Sequence, residues 1–125
     1  MYIKRLFKIG DDVKEKYGRY AYDEYVYFIS DRCGHIKIGR TKDVGKRLEA
    51  LQIAHALPLR LIAYICCGTS DDAIELEKIL HSRFYLYRLN GEWFTEKFVI
   101  RWLELHNPQD IIFNVKIRKG RIYDI

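Results

Sequence analysis

Apolar and polar residues follow two rhythms along this chain, and the places where the rhythm changes mark its elements. Tyr25-Val-Tyr-Phe-Ile29 is a block of aromatic and β-branched residues, the composition of a buried strand. Ser-Asp-Arg-Cys-Gly supplies turn chemistry and Ile36-Lys-Ile38 forms a second strand, which together predict a β-hairpin. Thr41 or Asp43 can cap a helix running to about Ala54, with Val44, Leu48 and Leu51 along its inner face. His55-Ala-Leu-Pro58 ends it, and the apolar run from Leu59 to Cys67 reads as a third, central strand. Gly68-Thr-Ser-Asp-Asp leads into a second helix, from Asp72 to about Tyr85, and Asn90-Gly91 breaks the chain again. Glu96 to His106 reads as a third helix, stopped by Asn107-Pro108. From Ile111 to Ile125, two strand-like pieces flank Arg118-Lys-Gly-Arg121 as a terminal hairpin. The mixed charges and tyrosines before Tyr25 give no firm element. The order ββαβαα predicts a mixed α/β (α+β) domain over residues 25–106, with an N-terminal extension (1–24) and a strand-like tail (107–125).

Three residues fit poorly into a purely structural account. On the second helix, at roughly 100° per residue, Glu75, Lys78 and Ser82 form a solvent face and Ala73, Leu76, Leu80 and Phe84 the core stripe. Glu77 and His81 lie side by side at the edge of the apolar arc, four residues apart. A carboxylate there needs a positive partner, hydrogen bonds or a metal ion. A Glu77–His81 or Glu77–arginine pair that satisfies itself answers equally well. Lys37 projects from a strand whose other residues are apolar, so its ammonium must reach solvent or meet an anion. Arg47 lies next to the buried stripe of the first helix, either as a surface residue with a packed stem or as a fork for phosphate.

Composition narrows the classes. At 125 residues with 49% hydrophobic and 14% aromatic content, the chain is one domain with a real core. No apolar run reaches the roughly 18–20 residues of a membrane span, and the basic start turns acidic without a signal-peptide block, so a cytosolic setting is the expectation. Cys33, Cys66 and Cys67 have neither disulfide-framework nor zinc-site spacing and read as reduced, mostly buried thiols. The net charge of +5 is weak evidence for a nucleic-acid partner, but its distribution says more. Five bases (Lys37, Arg40, Lys42, Lys46, Arg47) crowd residues 37–47, and four acids without a base fill residues 71–77. Such segregation suits a phosphate-binding surface next to a cation-binding carboxylate. Locally, Asp71 and Asp72 also suit a helix N-terminus.

Taken together, these motifs resemble the GIY-YIG nuclease superfamily. Tyr25-Val-Tyr27-Phe-Ile29 stands where that family has Gly-Ile-Tyr, and Lys37-Ile38-Gly39-Arg40-Thr41 where it has Tyr-Ile-Gly followed by Thr. Asp43–Leu51 with Arg47 matches its arginine helix, and Glu77-Lys-Ile-Leu-His81 its metal-binding helix. Lys-Ile-Gly, Glu-x-x-Leu-His-x-x-Phe and Gly91-Glu-Trp-Phe94 are similar to a branch known mainly from phage, viral and some fungal DNA-binding proteins. The resemblance covers about residues 25–104. It implies a three-stranded antiparallel sheet flanked by helices, and an endonuclease that hydrolyses DNA with one Mg2+ or Mn2+ ion. Carried over, Tyr27 is the general base, Arg47 the phosphate clamp and Glu77 the metal ligand. Lys37 replaces the tyrosine of the second motif and is placed to bring positive charge to Tyr27. His81 would assist the metal, contact DNA or make a structural hydrogen bond. Gly91–Phe94 chiefly turns the chain and buries Trp93 and Phe94, which leaves Glu92 without an assigned part.

Arg40, Lys42 and Lys46, with Lys116, Arg118, Lys119 and Arg121 of the tail, are the expected DNA contacts. The alternative is a catalytically weak or inactive DNA-binding module on the same scaffold, which the lysine at position 37 favours. A pure binder, however, has no use for Glu77 near its phosphate surface. A homodimer is one route to a double-strand cut, and no membrane partner is expected.

Overall fold

The computed structural model describes residues 24–106 and 111–123. The expectations for the N-terminal extension, apart from Glu24, and for Asn107-Pro108 lie outside the described residues. Strand β1 (Tyr25–Ser30) is buried at every position, as its run of large apolar residues dictates. It pairs antiparallel with β2 (His35–Thr41) on one side and β3 (Arg60–Cys66) on the other. Helix α1 (Val44–Ile53) is capped by Asp43, whose side chain accepts from the backbone N–H of Lys46. Helix α2 (Ser70–Arg83) is capped by Thr69 and carries Asp71 and Asp72 in its first turn, where acids suit the helix dipole. A 3-10 turn (Tyr85–Tyr87) leads into β4 (Arg88–Asn90) and β5 (Trp93–Thr95), and α3 (Glu96–Leu105) follows.

The sheet has six strands in the order β4-β5-β2-β1-β3-β6, where β6 is Ile112–Phe113. This corrects the expected three-stranded sheet, although the predicted trio does form its middle. Two signals were under-read. Asn90-Gly91 is hairpin-turn chemistry rather than a simple break, and Gly91 takes the left-handed φ of 54° that such a turn needs. Ile112-Phe113 is too short to show a period, yet it adds to β3 at Ala63 and Tyr64. Accordingly β3 is not the central strand. The tail ends in a separate hairpin of β7 (Lys116–Arg118) and β8 (Arg121–Tyr123).

The two faces of the sheet are unequal. Val26, Phe28, Ile36, Ile38, Ile62 and Phe94 pack with Leu76 and Leu80 of α2 and Val99, Trp102 and Leu103 of α3 into the main core. Each such side chain contributes roughly 1.5–3 kcal/mol by leaving water. The Ser30 hydroxyl donates to Glu96, tying the start of α3 to the end of β1. On the opposite face, Tyr27, Ile29 and Leu59 are buried against partly covered Leu48, Leu51, Leu61, Tyr64 and Trp93. No residue of α1 is fully buried. Cys66 and Cys67 are buried free thiols and Cys33 is exposed. None of the described helices is long and apolar enough to cross a membrane.

Candidate active site

Where β5 stops, the two faces of the sheet meet. Its ladder with β2 runs from His35 to Lys37, and one further bond joins the Ile38 N–H to the Glu92 carbonyl at 3.0 Å. Beyond that point, Gly39 lies in register with Tyr27. A Cβ on Gly39 would sit 2.3 Å from the Tyr27 hydroxyl oxygen and 3.0 Å from Glu92 Oε1. The glycine is therefore what allows a buried phenol and a loop carboxylate to approach each other across β2.

From α2, Glu77 and His81 reach the same edge. Ligand atoms of Glu77, His81 and Glu92 lie within 4.8 Å of one another. Among the described residues, Glu77 Oε2 is buried without a hydrogen-bond partner. Its nearest positive group is Arg40 Nε at 3.8 Å, and Arg40 also pairs with buried Glu24 at 3.1 Å. Burial, followed by the neighbouring Glu92 carboxylate, pushes Glu77 up to about 7 against the pull of Arg40 and Lys37. Two carboxylates pressed together in a half-buried cleft leave a local deficit of positive charge. Two carboxylates with an imidazole beside them suit a divalent cation such as Mn2+, while Mg2+ would rest on the carboxylate oxygens alone. His81 Nε2 makes a 2.8 Å hydrogen bond with the Ile38 carbonyl, which leaves Nδ1 as its possible ligand atom.

On the other side of Gly39, Arg47 Nε donates to the Tyr27 hydroxyl at 3.4 Å. Burial raises the Tyr27 hydroxyl above its ordinary value while Arg47 opposes the rise. The expectation that Lys37 supplies the positive charge needs correcting. In register, Lys37 faces Ile29 rather than Tyr27. Its ammonium lies 3.2 Å from Glu92 Oε1 and 5.7 Å from the centre of the Trp93 ring.

Tyr27, Lys37, Arg40, Arg47, Glu77 and His81 are thus gathered at one edge. Lys42 and Lys46 flank the α1 cap on the same face as Arg47, and both are exposed. Lys116, Arg118, Lys119 and Arg121 stand apart, exposed on the β7–β8 hairpin that packs against α3. Their turn is held by Glu104, which accepts from Lys119 N at 2.8 Å and Gly120 N at 2.6 Å. Glu92 is the residue that the sequence reading missed. Its signal was a carboxylate immediately after a hairpin-forming Asn-Gly, placed to fold back over the edge strand.

The family model of the T5orf172 domain matches residues 24–108. No curated protein and no solved structure matches significantly. T5orf172 is a different domain family from GIY-YIG, so the resemblance drawn from the motifs is set aside. Those motifs are short and specify local geometry: a hairpin, an arginine on one helix and a glutamate on the next. More than one family can meet such requirements.

Proposed function

The chain belongs to the T5orf172 domain family, and we propose that it is an endonuclease that hydrolyses phosphodiester bonds in DNA with one divalent cation. The observation that carries this reading is the convergence of Glu77, Glu92 and His81 within 4.8 Å, beside the Arg47–Tyr27 pair. A site for holding DNA alone has no need to concentrate acid where phosphate must sit.

Glu77 and Glu92, with His81 beside them, would hold the cation. Bound there, it would supply Lewis-acid stabilisation of the charge that builds up on the phosphate during hydrolysis. Arg47 presents a guanidinium fork to the same phosphate from the α1 side. As the phenolate, a form that Arg47 favours and burial opposes, Tyr27 would accept a hydrogen bond from the attacking water and take its proton to become the neutral phenol. Lys37 holds Glu92 in place. Lys42 and Lys46 extend the phosphate-binding surface along α1, and the β7–β8 hairpin offers a separate basic contact. At sub-saturating cation, turnover should rise with pH, because the raised Glu77 carboxyl must lose its proton to hold the ion.

One observation favours a second reading. Lys37 lies on Glu92 at 3.2 Å and Arg40 lies 3.8 Å from Glu77, so cations of the chain itself already offset part of the acidic charge. A binding module would need no more than that. Incubation with supercoiled plasmid and Mg2+ or Mn2+ separates the two. The nuclease reading expects metal-dependent nicking by the wild type that is lost in Glu77→Ala and reduced in Tyr27→Phe. Salt-sensitive DNA binding without nicking in any of the three overturns it in favour of the module.

A further inference from the structure

Next to the Tyr27–Arg47 pair lies a second concavity, on the same thinly covered face of the sheet. Its volume is about 470 Å³, and its described lining includes Tyr25, Tyr64, Leu61, Val44, Lys42 and Asn114. Tyr25 and Tyr27 point to the same side of β1, two residues apart, or roughly 7 Å along the strand. Tyr64 stands opposite Tyr27 in the register of β1 with β3. The cavity thus begins about one nucleotide's reach from the group assigned to the attacking water.

The walls are chemically specific. The Tyr25 and Tyr64 rings meet edge to face, with centroids 5.7 Å apart and planes at 77°. This arrangement fixes Tyr64, which is only partly covered, as a flat wall. Leu61 and Val44 add apolar surface. Asn114 is pinned at the edge of β3, donating its side-chain N–H to the Leu61 carbonyl at 3.1 Å and its backbone N–H to that of Ile62 at 2.9 Å. The amide oxygen and second N–H of Asn114 are not used in these bonds. Exposed Lys42 stands at the rim. An aromatic wall, an apolar floor, one oriented amide and a rim where Lys42 stands beside Asp43, whose carboxylate is engaged in capping α1, suit a planar heteroaromatic group joined to a phosphate.

We propose that this cavity receives a single unpaired nucleobase, that of a nucleotide next to the phosphate held by Arg47. The inference rests on the nuclease reading and narrows its substrate class. A base stacked inside a duplex cannot enter a side pocket without leaving its stack. The preferred substrate therefore carries an unpaired nucleotide at the cut, in a single strand, a loop or an extruded position. The base stacks on Tyr64, and the amide oxygen and remaining N–H of Asn114 face an adjacent donor and acceptor on its exposed edge.

The test is fluorescence anisotropy of the full chain in EDTA, where no turnover occurs, with labelled oligo(dA) and the same strand paired with oligo(dT). Tyr64→Leu is expected to weaken binding of the single strand about tenfold and that of the duplex less than twofold, the size of one lost stacking contact. Tyr64→Phe keeps the ring and is expected to retain wild-type binding. Asn114→Ala is expected to weaken single-strand binding and leave duplex binding unchanged, and unchanged duplex binding reports that each variant is folded. Equal losses on both nucleic acids, or no loss in Tyr64→Leu, overturn the pocket and leave the nuclease reading standing. Failure of both the wild type and Glu77→Gln, which removes a repelling charge, to bind either nucleic acid overturns both.

Discussion

The two faces of one sheet are built to different standards. Towards α2 and α3, strands β1, β2 and β3 contribute Val26, Phe28, Ile36, Ile38 and Ile62 to a continuous core with no measurable exposure at those positions. Towards α1 the cover is a ten-residue helix without one fully buried side chain. Tyr27, Ile29 and Leu59 are sealed there by residues that remain partly open. Arg47, Lys37, Trp93 and the Tyr64 cavity all belong to the thinner face, and Gly39 joins it to Glu77 across the sheet edge. Close packing on one side supplies stability, and the described buried side-chain atom without a partner, Glu77 Oε2, lies where α2 of that side reaches the junction with the other.

Substitutions can break or sharpen that contrast. Phe94→Ala, on the closed face against Phe84 and His81, is expected to cost about 3–5 kcal/mol in urea unfolding. It should also loosen the α2 helix that carries Glu77. A loss under 1.5 kcal/mol would mean that the closed face is less tightly packed than described. Arg47→Ala, on the open face, is expected to cost about 1 kcal/mol, because the buried Tyr27 hydroxyl loses its donor, while slowing plasmid nicking about 100-fold. If it unfolds the protein instead, the faces do not divide their duties. Gly39→Ala tests the joint between them, because the added methyl meets the Tyr27 hydroxyl oxygen at 2.3 Å. Loss of about 1–3 kcal/mol together with loss of nicking is the expected result. Leu48→Ala is expected to be the mildest, at about 1 kcal/mol, because the leucine is only partly covered.

Protons provide a further probe. In the folded metal-free protein Glu77 keeps its proton to about pH 7, against an ordinary value of 4.5. The folded state therefore binds more protons than the unfolded state across that window, and this group's contribution to stability falls as pH rises through it. Burial sets the shift, Glu92 adds to it, and Arg40 and Lys37 oppose it. Thermal melts in EDTA should show wild-type Tm falling from pH 5 to pH 8 relative to Glu77→Gln. Parallel curves would show that Glu77 is not under charge strain.

Much of this arrangement was legible in the chain. The apolar blocks located β1, β3 and α2, and the four-residue spacing of Glu77 and His81 marked the helix edge that carries the site. Arg47 was also visible, because a charged residue beside a buried stripe needs a reason. What escaped was long-range. β4 and β5 are three residues each, too short to show an alternating pattern, and they are strands only because β2 offers them an edge. Glu92 could be placed only once that hairpin was known to fold back over Ile38. The partner of Lys37 was misjudged for the same reason: pairing across β1 and β2 suggested Tyr27, whereas the added strand supplied Glu92. The family assignment went astray because short motifs constrain turns and helix faces more than they constrain ancestry.

The most direct test of the central claim is calorimetric titration of Mn2+ into the wild type, Glu77→Gln and Glu92→Gln at pH 8, without nucleic acid. If Glu77, His81 and Glu92 form a cation site, the wild type takes up one ion and both variants lose at least tenfold in affinity. No binding by the wild type, or equal binding by all three, would contradict the account.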